Sequence, residues 1–173
     1  MVAHLSDFGL ARLIPPGEVI SNEQSNTIGI KGTIGYVPPE YGIGSKTSIQ
    51  GDMYSFGILV LEMLTKRRPN EDMFEDGHHL QTYVKVVFPG KLLEVVSPSI
   101  LPRQSEHIVG TSRDSSKNMM QIHPSVEKCL RSLFKVGLTC SLESPHERMS
   151  AIDVLGELNS IKSFPLYGEY NIA

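Results

Sequence analysis

Asp7, Phe8 and Gly9 form the first grouping in this chain whose types and order could do chemistry. A carboxylate suits a hard, oxygen-seeking cation, and the glycine two positions on gives the backbone freedom to swing. On three letters alone, a turn aspartate ahead of a glycine reads equally well. Hydroxyls follow at Ser21, Ser25 and Thr27, in a stretch rich in Gly, Ser, Asn and Thr. Each could take a phosphate, whose charge can order a loop against an arginine, and each could equally be part of a solvated polar loop.

Other groupings are set aside on their spacing. Gly42-Ile43-Gly44-Ser45-Lys46-Thr47 hints at a phosphate loop. It lacks the third glycine of a dinucleotide fold and the spacing of a Walker motif, and no strand precedes it. His78-His79 near Asp76 reads as an exposed turn rather than a metal site. Cys129 and Cys140 stand eleven residues apart, almost on one helical face, and read as buried free thiols of a reducing compartment. Neither has a second ligand at metal-site spacing.

The elements that must position these residues follow from composition and period. The chain has 173 residues, 40% of them hydrophobic, and a formal charge of −3 with pI near 6.1, enough for one domain with a sizeable core. That balance gives no general reason to expect nucleic acid or an anionic membrane surface as partner. No basic region followed by an apolar run opens the chain, so no signal peptide is expected. The first forty residues read as a long extended loop punctuated by Pro15-Pro16 and Pro38-Pro39. Met53 to Leu64 is apolar nearly all round and predicts a central helix covered on every side. It contains Glu62 and is too short to span a bilayer. Leu80, Val84 and Val87 predict a short amphipathic helix ended by Pro89-Gly90, and KLLEVVSPSI predicts a second short segment. Residues 103–124 turn polar and read as a mobile surface loop. Val126, Leu130, Leu133, Phe134 and Leu138 mark a helix after Pro124. Ser150, with Asp153 three residues on as in a capping box, starts a last helix whose apolar face is Ile152, Leu155, Leu158 and Ile161. The expected class is mainly α, with about five helices and no obvious sheet.

Order turns weak motifs into a strong set. Asp7-Phe8-Gly9-Leu10-Ala11-Arg12 precedes Gly32-Thr33-Ile34-Gly35-Tyr36, then Pro38-Pro39-Glu40, then Asp52-Met53-Tyr54-Ser55-Phe56-Gly57, and much later Pro145-His146-Glu147-Arg148-Met149. In this order and spacing the chain resembles the C-terminal lobe of a protein kinase. SNTIGIKGTIGYVPPEYGIGSKTSIQGDMYSFGILVLEMLTKRRPNEDMF and LTCSLESPHERMS look most like the leucine-rich-repeat receptor-like serine/threonine kinases of plants. The resemblance covers essentially everything but the loop at 103–124. It implies a partial kinase domain over residues 1–163, with an activation segment at 7–40, a helical lobe at 48–163 and a tail at 164–173.

The resemblance carries roles to matching positions. Asp7 would sit on magnesium bridging ATP phosphates, with Phe8 fixing which way it faces and Gly9 letting the loop swing. Thr33 would stand beside the substrate hydroxyl, and Gly-Thr-x-Gly-Tyr around it, including Tyr36, favours serine/threonine specificity. Ser21, Ser25, Thr27 and Thr33 are the candidate phosphosites. Pro38-Pro39-Glu40 departs from the usual Ala-Pro-Glu by one residue. Glu40 would pair with Arg148 in a carboxylate–guanidinium fork, and Asp52 would be a buried aspartate accepting amides of the catalytic loop. These last three roles are structural. Arg113-Asp114-Ser115-Ser116-Lys117-Asn118 only faintly echoes a catalytic loop, after Asp-Phe-Gly rather than before it and with no histidine ahead of the arginine.

Several parts of that family's machinery do not occur in these residues: the glycine-rich loop, the Val-Ala-Ile-Lys strand, the His-Arg-Asp loop and its asparagine. Magnesium and ATP are therefore expected in the intact family but not on this chain alone, which is expected to be inactive. The expected parent phosphorylates proteins from the cytosolic face of the plasma membrane, to which it is anchored, while this chain alone would be soluble and cytoplasmic. Met1 falls where relatives have an internal residue, which suggests a gene-model break or a truncation. In the family the other half of the domain covers one face of the Met53–Leu64 helix, so here that face is expected to be wet, each exposed Leu, Ile or Phe forgoing roughly 1.5–3 kcal/mol against a total stability of about 5–15 kcal/mol, and Asp52 is expected to lose the amides it accepts from. A different class of function also fits: a non-catalytic module that binds a kinase partner as decoy or regulator.

Overall fold

The computed structural model describes residues 4, 32–44, 47–71, 79–101 and 122–163. Asp7, Phe8, Gly9, Ser21, Ser25 and Thr27 lie outside these, as do the His78 position, most of the 103–124 stretch and the 164–173 tail. The described elements are α1 (Pro39–Gly42), α2 (Ile49–Thr65), α3 (Leu80–Val87), α4 (Leu92–Val95), α5 (Pro124–Cys140) and α6 (Ala151–Lys162). Short 3-10 turns stand at Pro98–Ile100 and Pro145–Glu147. The described residues contain no strand, and none of their helices is long and apolar enough to cross a membrane. The mainly α class expected from the periodicity is what the chain adopts, with the single-turn α1 added.

Local chemistry sets the helix ends. Ser48 caps α2 by accepting from the Gly51 amide at 3.0 Å. Lys66 closes it in the left-handed region, at φ 58° and ψ 22°, with its amide donating to the Glu62 carbonyl. Pro124 occupies the first turn of α5, where its missing N–H is no loss. At α6 the Ser150 hydroxyl accepts from the Asp153 amide at 3.2 Å and donates to the Asp153 carboxylate at 2.6 Å, as the capping pattern predicts.

The core is the crossing of α2 on α5. Gly57 and Gly137 allow it: a β-carbon on Gly57 would stand 2.7 Å from the Gly137 carbonyl oxygen, and one on Gly137 would stand 2.6 Å from Leu61. Leu61, Leu64, Leu80, Val84, Leu130 and Phe134 fill the main cluster, closed below by Leu92 and Val95 of α4. Met53, Val136, Cys140 and Val154 form a smaller one that docks α6. Both cysteines are buried free thiols, and burial pushes the Cys140 thiol up to about 11.

Coverage departs from the simple helix patterns in two places, the first being the wet face expected for this chain. The α2 helix is not enclosed on every side: Leu59 is 45% and Met63 50% exposed. Helices α3 and α5 pack on the face bearing Val60, Leu61 and Leu64, and the Leu59–Met63 face opens on a shallow hollow also lined by Glu62, Lys66 and Arg68. On α6 the inner face is Val154 with half-buried Leu158 and Ile161, while Ile152 and Leu155 face solvent. Val154 and Leu158 are one turn apart and reach the small cluster together; Ile152 and Leu155 sit away from that row.

Candidate functional site

Arg148 is the centre of the site. It follows the 3-10 turn Pro145–Glu147, and its side chain is wholly inaccessible to solvent. A buried guanidinium must find partners for five donors, and this one does. Nη1 donates to Glu40 Oε1 at 2.7 Å and to the Gln50 carbonyl at 2.9 Å. Nη2 donates to Glu40 Oε2 at 2.7 Å and to the Glu143 carbonyl at 3.0 Å. Nε donates to the Leu142 carbonyl at 2.7 Å. The guanidinium also lies 5.0 Å over the Tyr54 ring. Hydrogen bonds from Arg148 hold the Glu40 carboxyl below its usual range, against burial that pushes it up. Burial raises the Tyr54 phenol.

The fork fixes α1, and α1 fixes the residues before it. Pro38 is fully buried ahead of the helix. The turn Gly32–Tyr36 folds back through a 3.0 Å bond from the Tyr36 amide to the Thr33 carbonyl. Gly35 at φ 91° lies against Pro69, where a β-carbon would stand 2.9 Å from the ring. Tyr36 is tied to α2 twice, accepting from Ser55 Oγ at its carbonyl and donating from its hydroxyl to Glu62. Burial first, then the bond to Glu62, pushes the Tyr36 phenol up to about 12. Tyr41 lies on the first turn of α2, accepting from the Ser48 amide at 2.8 Å, and only a glycine at 51 leaves room for its ring.

Of the residues singled out from sequence, Glu40 and Arg148 meet directly, and Tyr36 sits nearby on α2. Thr33 is exposed. Asp52, expected as a buried aspartate, is exposed at the start of α2. No described group donates to its carboxylate, and partial desolvation pushes its pKa up. Sequence reasoning missed Tyr54, Ser55 and the partner of Glu62. A lone carboxylate inside an apolar run was the available signal, since such a group needs a donor. No three His, Cys, Asp or Glu side chains converge among the described residues.

Comparison with known proteins agrees with this geometry. The protein kinase domain family matches residues 2–156. The receptor kinase-like protein Xa21 of Oryza sativa subsp. japonica is 36% identical over 162 residues, covering 94% of this chain and 15% of that protein. A probable LRR receptor-like serine/threonine-protein kinase of Arabidopsis thaliana is 42% identical over 163 residues, again 94% of this chain and 15% of the relative. The Arabidopsis thaliana LRR receptor-like serine/threonine-protein kinase EFR is 37% identical, with 94% and 13% covered. This chain thus spans about a seventh of the length of these relatives. Among solved structures, the pseudokinase domain of BIR2, described as an immune regulator of the RLK/Pelle family, shares the fold. Its TM-score is 0.55 at 24% identity, over 79% of this chain and 36% of that one. The motif order, the helical architecture and these matches converge: the chain belongs to the protein kinase family and, within it, is similar to the kinase domains of plant leucine-rich-repeat receptor-like kinases.

Proposed function

We propose that this chain supplies the substrate-facing loop and helical base of a receptor-like serine/threonine kinase. Its intact domain transfers the γ-phosphate of ATP to protein hydroxyls at the cytosolic face of the plasma membrane. The observation that carries this reading is the Glu40–Arg148 fork, which seats the segment bearing Thr33 on the helices. Thr33 is the substrate-loop contact, and Ser21, Ser25, Thr27 and Thr33 are the hydroxyls open to phosphorylation. Asp7 is the residue that would hold magnesium, with Phe8 and Gly9 governing its direction. Glu40, Arg148 and Asp52 serve as scaffold.

Phosphoryl transfer depends on positioning and charge stabilisation from several groups at once. One carboxylate does not substitute for a phosphate cradle, a lysine and a proton-accepting aspartate, so this chain alone does not transfer phosphate. The test is incubation of the purified chain with magnesium, radiolabelled ATP and a protein acceptor. No incorporation is expected, and no ATP-dependent rise in its melting temperature. Steady incorporation that disappears in Asp7→Ala would overturn the reading.

A second reading rests on Leu59 and Met63, one turn apart and half exposed on the central helix. An apolar pair of this kind suits a partner surface, here a related kinase bound by a non-catalytic module. Capture of a purified receptor-like kinase domain by the chain, abolished by Leu59→Lys with Met63→Lys, would favour it.

A further inference from the structure

The chain carries a formal charge of −3, but folding does not spread that charge evenly. Two contacts lay α3 beside α5 in opposite directions. Near the start of α3, Gln81 Nε2 donates to the Ser141 carbonyl at the end of α5. Past the end of α3, the Pro89 carbonyl accepts from Arg131 Nη1 at 2.8 Å, midway along α5. Lys85 lies one turn after Gln81, on the same side of α3, and four residues before Pro89. It therefore stands next to α5, between the two contacts. On α5 itself Lys128, Arg131 and Lys135 recur at intervals of three and four, over about 10 Å of axis, on the side opposite buried Leu130 and Gly137. Glu127 joins this row, bonded to Arg131 at 2.6 Å. At its margin Lys91 and Glu94 pair with each other. Lys85 and Lys135 are exposed, and no described carboxylate pairs with either. Four basic side chains thus stand against one carboxylate, a local reversal of the chain's sign.

We propose that this α3–α5 face binds anionic phospholipid headgroups. Cations spread along two outward helix faces suit a plane of headgroup charge, where each is worth about fivefold in affinity. Val86, next to Lys85 and 80% exposed, puts an apolar side chain at the edge of the same face. Such a contact is weak alone, but beside a membrane anchor it sets which way the domain turns. That the leaflet is the one where the intact kinase works rests on the function proposed above; the headgroup chemistry does not.

Co-sedimentation of the full chain with vesicles tests this, using phosphatidylcholine alone and phosphatidylcholine with about one-third phosphatidylserine. Binding is expected on the anionic vesicles only, weakening steeply as salt rises. Lys85→Gln and Lys135→Gln should each lower the partition coefficient about fivefold and together about thirtyfold. Neither lysine has an ion pair to lose, so melting temperatures should stay at the wild-type value. Lys162→Gln, at the end of α6 and away from this face, should bind as wild type. Millimolar inorganic phosphate should not compete, since no single phosphate spans the row. Equal binding to neutral vesicles, an unchanged partition in the double variant, or an equal loss in Lys162→Gln overturns the proposal. So does competition by phosphate, which would mean a site for a single anion. A chain that ignores the vesicles yet binds polyglutamate through Lys85 and Lys135 also overturns it, in favour of an acidic protein. Phosphate transfer by the chain alone would overturn the function proposed above and leave the vesicle result standing.

Discussion

At the scale of single residues, the Arg148 guanidinium is the most consequential group described. It is fully buried and fully bonded, so removing its counter-charge leaves an uncompensated cation in the interior. Glu40→Ala is therefore expected to cost about 3–5 kcal/mol, and Glu40→Gln less, since one acceptor oxygen survives. Arg148→Lys should also destabilise, because three donors on a point charge cannot reproduce a fork. Urea midpoints at unchanged slope measure all three. The pH dependence has a definite sign. Folding lowers the Glu40 pKa from 4.5, so its stabilisation is complete above that value and is lost as pH falls through the lower folded one. Glu40→Gln should accordingly show a flatter acid limb. Tyr36 works at the other end: its folded pKa of about 12 lies above the ordinary 10. Its contribution is whole below pH 10 and disappears as pH rises through about 12.

At the scale of elements, α2 organises everything else. Its start receives Tyr41 over Gly51 and gives the Gln50 carbonyl to Arg148. Its middle crosses α5 at Gly57, and its length carries Tyr36. Gly57→Ala should cost about 1–3 kcal/mol or more, because the added carbon meets backbone that cannot retreat. Gly156→Ala is the matched contrast: its β-carbon meets nothing within 4 Å in an exposed stretch of α6. It should gain about 0.4–1 kcal/mol by restricting the unfolded chain. Thermal melts of the two variants read the difference. Most helix positions, and the starts of α5 and α6, were legible in the sequence, since period, Pro124 and the Ser150–Asp153 pair are local signals. Which face of a helix is covered was not. Met53–Leu64 is apolar all round, so nothing in it distinguishes inward Leu61 from half-exposed Leu59. On α6, Ile152 and Leu155 outweigh Val154 in hydrophobicity, yet Val154 is the residue that reaches the core.

At the scale of the whole molecule, the contacts that seat the Thr33 turn are long-range. The Glu40–Arg148 pairing was reachable only through the family resemblance, because no local pattern links residues 108 positions apart. Expected inactivity toward ATP also belongs to this scale, as a property of the assembled set of groups and not of any one residue. The fork has a further consequence for biosynthesis. Glu40 emerges from the ribosome more than a hundred residues ahead of its partner, and loop closure of that span is entropically slow. Until residue 148 is translated, the segment before α2 has no guanidinium to close on. The seating of this loop is thus timed by the arrival of the turn that carries Arg148, ahead of α6, and a nascent chain stalled before it would present α1 to proteases and chaperones.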